Sequence, residues 1–160
     1  MQRGTKPKPT ALKLIEGNPG RRPLPKHEPK PRPGIPPCPE YLDARARAEW
    51  DRITPELYAA GVLTTIDGMV LALYCMAYSH LVDAEEALAR MKARDQLTSA
   101  LMIKTKNGNA IQNPLVGVIN RNAMLVHRFA CEYGMTPGAR ARIEAEPNVN
   151  PGTDKADAYF

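Results

Sequence analysis

The stretch IDGMVLALYCMAYSHLVDAEEALARM, Ile66–Met91, decides the fold. Its apolar residues Ile66, Val70, Leu73, Ala77, Leu81, Ala84, Leu88 and Met91 recur at intervals of three and four. That is the spacing of one helix face, with a seam narrow enough for a coiled-coil-like partner. Thr64 is placed to cap such a helix, with Asp67 in its first turn. No proline interrupts the stretch, and its one glycine, Gly68, lies near the start. A helix of this length is a rod of about 39 Å, at roughly 1.5 Å per residue. It cannot bury its stripe alone, so the other elements read as things laid against it.

The natural partner follows Asn113-Pro114, where asparagine can cap and proline suits the first helical position. Val116, Ile119, Ala123, Val126, Ala130 and Tyr133 form its stripe, and Gly134 stops it. Between the two rods, Asn107-Gly108 is a strong short hairpin signal, with Met102-Ile103 and Ala110-Ile111 as flanking strands. Lys104 and Lys106 on this hairpin either blunt an exposed edge or touch a nucleic acid. Upstream, Asp43–Ala60 reads as a helix with Trp50, Ile53 and Leu57 facing inward, and Gly61 ends it. Pro55 removes one helical hydrogen bond and predicts a kink or a split there. Thr136-Pro137 opens a short last helix carrying Arg140 and Arg142.

The expected fold class is therefore mainly α: a kinked first helix, a long antiparallel helix pair and a small β-hairpin at their connection, behind an extended basic arm. The expected organisation is a Pro-rich arm over residues 1–39 with a short helix at 11–16, a helical oligomerisation body over 40–145 with its hairpin near 100–112, and a polar tail over 146–160 ending in Tyr159-Phe160. At 160 residues this is one domain with tails, large enough for a modest core. The longest apolar run, Met69–Tyr78, falls far short of a membrane span, and the basic N-terminus lacks an apolar signal core, so neither membrane insertion nor export is expected. Three cysteines, Cys38, Cys75 and Cys131, fit a reduced setting better than a disulfide framework.

The net charge of +5 hides a split. Residues 1–40 carry nine Lys/Arg and three Glu; residues 41–160 carry thirteen Lys/Arg and fourteen Asp/Glu. Residues 1–40 also hold eleven of the sixteen prolines, in runs such as Lys6-Pro7-Lys8-Pro9 and Pro29-Lys30-Pro31-Arg32-Pro33, which favours extended, polyproline-like backbone. One island, Ala11–Glu16, can form about two helical turns after Thr10 and before Gly17, with Leu12 and Ile15 on one side. A cationic arm on a near-neutral body points to a polyanion, although a charged linker kept soluble by its lysines has the same composition. Lys6, Lys8, Lys13, Arg21, Arg22, Lys26, Lys30 and Arg32 are the candidate phosphate contacts. Gly17 and Gly20 leave room for backbone amides to approach an anion, but Gly-Asn-Pro-Gly-Arg-Arg lacks the ending of a nucleotide P-loop.

Other chemistries fit poorly. A helix-turn-helix around Gly61 would use Ile66–Leu81 as its recognition helix, and that segment holds no Lys or Arg. His127 with Cys131, and Cys75 with His80, are pairs where zinc needs four converging ligands, and they lie in helices that need their apolar faces. No nucleophile elbow, His-Glu-x-x-His or paired carboxylate setting is present, and Asp83, Glu85 and Glu86 read as a solvated helix face. No enzyme activity, metal or cofactor is expected. An RNA-binding regulator is disfavoured because the arm lacks aromatic stacking groups.

Five blocks are similar to the small subunit of the tailed-phage terminases. They are Arg3–Leu24, Pro36–Leu42, Ala48–Trp50 with Pro55–Leu57, Gly61–Asp67 with Tyr74–Tyr78, and Asn113–Leu115 with Phe129–Pro137. The resemblance covers roughly residues 3–145 and is weaker over 93–112 and the tail. It implies a homo-oligomeric ring in the host cell cytoplasm that binds double-stranded viral DNA at the packaging start site. It also implies recruitment and regulation of a large subunit that carries the ATPase and nuclease. Trp50, Leu73, Tyr74, Leu81, Val126 and Phe129 are the expected core and oligomer residues. The competing expectation is an assembly adaptor that binds the large subunit without contacting DNA.

Overall fold

The computed structural model describes residues 31–95 and 97–140. The elements run α1 (Ala44–Ala59), α2 (Gly68–Lys92), β1 (Met102–Lys104), β2 (Ala110–Gln112), α3 (Pro114–Glu132) and α4 (Pro137–Arg140). The protein is mainly helical with a small antiparallel two-stranded sheet. The predicted arm helix at 11–16, Arg142 and the tail lie outside the described residues.

Each helix end has a local cause. Asp43 caps α1 by accepting the Ala46 N–H at 2.8 Å. The helix runs unbroken through Pro55, which is exposed, so the carbonyl left without its helical donor can be met by water. Of the kink or split expected at Pro55, the split does not occur. At its C-terminus Gly61 takes φ 73°; its N–H bonds to Tyr58 O at 2.9 Å and Val62 N–H to Leu57 O at 3.1 Å. This is a Schellman closure, and a side chain at Gly61 would strain it. The same arrangement ends α3, where Met135 N–H reaches Ala130 O at 2.8 Å and Gly134 N–H reaches Cys131 O at 3.3 Å.

The start of α2 differs from the expectation. The helix begins at Gly68, and Thr64–Asp67 forms a separate turn. The Asp67 carboxylate accepts both the Thr64 N–H at 2.8 Å and its hydroxyl at 2.6 Å, so the aspartate reaches back to the threonine and Thr64 is not the cap. Asn113 behaves as the sequence suggested. Its side-chain oxygen accepts the Leu115 N–H at 3.0 Å and Pro114 takes the first turn. The hairpin pairs Met102 with Gln112, Ile103 with Ile111 and Lys104 with Ala110. Its connection is longer than two residues: Gly108 N–H bonds to Thr105 O at 2.9 Å, and Gly108 lies at φ 82°.

α2 and α3 are antiparallel neighbours, with the Tyr133 hydroxyl donating to Asp67 O at 3.2 Å at one end and Asn113 approaching Met91 at the other. α1 lies on another flank of α2. The core gathers Leu42, Ala46, Trp50, Ile53 and Leu57 with Leu63, Leu71, Ala72, Tyr74, Cys75 and Tyr133. The spine is therefore turned relative to its predicted stripe. Ala77 and Ala84 are buried, and Leu81 and Leu88 half-buried, but Ile66, Val70, Leu73 and Met91 are exposed. The reason is polar. Ser79, fully buried, donates to the Asp43 carboxylate at 2.9 Å, and the Tyr74 hydroxyl donates to Glu49 at 2.8 Å. These bonds select the face that meets α1.

Candidate interaction surfaces

Three features of the described residues stand out as sites of contact or control. The first is where the Pro-rich segment joins the body. Pro33 forms an antiparallel bridge with Thr64; Thr65 N–H bonds to Arg32 O at 3.2 Å and Gly34 N–H to Leu63 O at 3.5 Å. A Cβ on Gly34 would come within 2.6 Å of the Thr65 methyl, so any larger residue would force the exposed Thr65 side chain to shift. Pro36 is buried and lies against Gly68 at the start of α2. The chain upstream thus leaves the body from a fixed point at the α1–α2 junction.

The second is a buried polar lock. Glu49 is 3% exposed and lies on the inward face of α1 between Ala46 and Trp50. Arg52 donates to it twice, Nε to Oε2 at 2.7 Å and Nη2 to Oε1 at 2.6 Å, and the Tyr74 hydroxyl completes the set. Burial, then the bond to Glu49, push the Tyr74 hydroxyl well above its ordinary pKa. A buried carboxylate so compensated fixes register between helices, and removal of one partner is costly. Sequence reasoning missed it. The available signal was a carboxylate inside the run Ala46, Glu49, Trp50, Ile53, Leu57, whose other members are apolar. Burial pushes the Cys75 thiol beside this lock up to about 12.

The third is apolar surface. Ile66, Met69, Val70 and Leu73 are exposed near the start of α2, and Val118, Met124 and Leu125 on α3. No residue of α3 is fully buried.

Of the candidate DNA contacts, Lys6, Lys8, Lys13, Arg21, Arg22, Lys26 and Lys30 lie outside the described residues. Arg32 is exposed and its backbone forms part of the junction clamp. Trp50 and Tyr74 are in the core, and Val126 and Phe129 pack against it; Leu81 is half-buried and Leu73 is 44% exposed. Cys131 approaches His127 at 3.7 Å, but among the described residues no group of three His, Cys, Asp or Glu is placed to hold a metal ion. No described helix is long and apolar enough to cross a membrane.

A family model described as phage terminase, small subunit, matches residues 46–150, well over half of the chain. The chain belongs to that family. No curated protein and no solved structure matches it. The match covers the helical body, while the basic segment before it lies outside the matched range.

Proposed function

We propose that this chain is the recognition subunit of a phage DNA-packaging machine. It binds duplex viral DNA through residues 1–32, assembles as a homo-oligomeric ring and recruits and regulates the large subunit in the host cytoplasm. The ATPase and nuclease belong to that partner; this chain is a non-catalytic adaptor without a cofactor. The family match carries the reading, and the charge split supports it: nine Lys/Arg stand against three Glu in residues 1–40 of a chain that is otherwise near neutral. The clamp of Arg32 and Gly34 on the body favours delivery of that charge from a fixed point. The uncovered apolar residues of α2 and α3 favour self-association, because contiguous apolar surface marks a contact site.

Removing residues 1–30 tests the division of roles and leaves the junction clamp intact. DNA binding, followed by fluorescence anisotropy, should weaken at least tenfold as the phosphate contacts of the arm are lost, while light scattering should report an unchanged oligomer. Undiminished binding would move the DNA site to the body. A monomer at working concentration, in the intact chain, would remove the ring. An intact chain that captures the large subunit but no DNA would favour the assembly-adaptor reading.

A further inference from the structure

The charge of the described body is not evenly spread. Residues 87–113 carry five cations, Arg90, Lys92, Arg94, Lys104 and Lys106, against the single acid Asp95. Residues 31–86 and 114–140 together carry seven Lys/Arg and ten Asp/Glu. All five cations are exposed, and a shallow open hollow of about 350 Å³ lies between Ala87, Arg90, Met91 and Arg94. Cations in the last turn of α2 complement its dipole, and lysine on a strand edge discourages pairing. Those roles account for some of the five. They do not account for the turn between them.

That turn is built around Asp95. Its carboxylate accepts the N–H groups of Leu97, Thr98 and Ala100 at 3.1–3.2 Å and the Thr98 hydroxyl, and these bonds hold it below the usual carboxylate range. Asp95 is thus turned to the backbone, and the nearest other acid, Glu86, lies 4.0 Å from Arg90. Ser99 and Ala100 both adopt left-handed backbone, at φ 53° and 59°, which L residues seldom take. Asn113 holds the far side, donating its side-chain N–H to Ala100 O at 2.8 Å and its backbone N–H to Leu101 O at 2.9 Å. These bonds tie the base of the hairpin to the end of α2. In their midst Leu97 is 94% exposed, with Leu101 and Met102 also open to solvent.

We infer that this end of the body is a second duplex-DNA site, in which Arg90, Lys92, Arg94, Lys104 and Lys106 hold phosphates and Leu97 is an apolar wedge that bends the helix. The inference rests on the DNA reading above and adds where the body touches the duplex. Exposed leucine or methionine beside cations is the chemistry that partly unstacks a base step from the minor groove. Bending in turn reads deformability, a route to sequence preference without base-edge contacts. The distance also fits. The site lies at the opposite end of α2 from the Arg32–Thr65 clamp, about 37 Å away at 1.5 Å per residue, close to one duplex turn of roughly 34–36 Å.

The test uses the full-length chain and a fluorescent duplex labelled at both ends, with affinity measured against salt and bending by energy transfer. The triple variant Arg94→Glu, Lys104→Glu, Lys106→Glu should bind at least tenfold more weakly and lower the salt slope by about 0.9 for each phosphate no longer neutralised. Leu97→Ser should keep affinity within about threefold and abolish the change in energy transfer, as expected for a wedge. An unchanged slope in the triple variant, with Arg21→Glu, Arg22→Glu still impairing binding, overturns this site and leaves the DNA reading standing. No binding by the unaltered chain overturns both. An equal fall in affinity on reversing Arg121 and Arg128, exposed elsewhere on α3, would make the effect one of net charge and overturn the site. So would a triple variant that binds DNA normally but no longer binds polyglutamate, which would assign the surface to an acidic protein segment.

Discussion

The two helices that flank α2 treat it differently. α1 is three residues shorter than α3 yet buries six of its own side chains, among them Glu49 and Thr54; α3 fully buries none. On the α1 side, contacts are closed by specific polar bonds, Asp43 to Ser79 and Glu49 to Tyr74, within a continuous apolar layer. On the α3 side, the apolar stripe lies along the partner while Val118, Met124 and Leu125 remain in water. The first interface is closed within one chain, apart from the buried Thr54 hydroxyl, which has no hydrogen-bond partner among the described residues. The second has apolar surface to spare, which is what an assembly needs.

Substitutions can break or sharpen that contrast. The largest effect belongs to Trp50, 3% exposed at the centre of the α1 side. Trp50→Ala should cost about 3–5 kcal/mol in urea unfolding, through reduced burial plus a cavity. A cost below 1 kcal/mol would show that α1 is not the main anchor. Next comes the polar lock. Tyr74→Phe removes one donor to Glu49 while Arg52 remains, so stability should fall by about 1–2 kcal/mol in the same assay.

Asp43 gives a smaller effect with a pH signature. The Ala46 N–H, foremost, and the Ser79 hydroxyl hold its carboxyl below the usual range. A carboxyl depressed in the folded state stabilises above its unfolded value, near 3.9, and that contribution fades as pH falls through the folded value. Asp43→Asn, which still caps α1 and still accepts from the buried Ser79 hydroxyl but lacks the charge, should therefore cost about 1 kcal/mol at neutral pH. In thermal melts the gap from the unaltered protein should narrow below about pH 4. A gap that widened there would overturn the assignment. The smallest effect on fold stability is expected on the open faces. Leu73→Asp with Leu125→Asp should change unfolding by no more than about 0.5 kcal/mol per site while lowering the subunit number seen by light scattering. Intact assembly would place the self-contact elsewhere.

Much of this was legible in the sequence, for local reasons. Asn113-Pro114, Gly61 and Gly134 announce helix ends through backbone chemistry that needs no tertiary context. The hairpin and both rods followed from turn residues and spacing. The rotation of α2 did not. From Met69 to Tyr78 that helix is apolar on nearly every side, so periodicity cannot choose among faces. The choice falls to bonds between residues 25 and 36 positions apart, Tyr74 with Glu49 and Ser79 with Asp43. The candidate contacts before Pro31 were read from charge and proline alone. The strained turn at Ser99 and Ala100 had no glycine or asparagine to betray it, because the Asp95 carboxylate holds residues of ordinary type there.

The junction at Pro33 also has a mechanical side. Any pull transmitted along residues 1–30 arrives first at two main-chain bonds, Thr65 to Arg32 and Gly34 to Leu63, and at the tight seat of Gly34 on the Thr65 methyl. These can peel apart one after the other while Trp50, Leu57 and Leu63 stay buried behind them. A load arriving at Pro31 would thus be met by these bonds before the bundle itself felt tension.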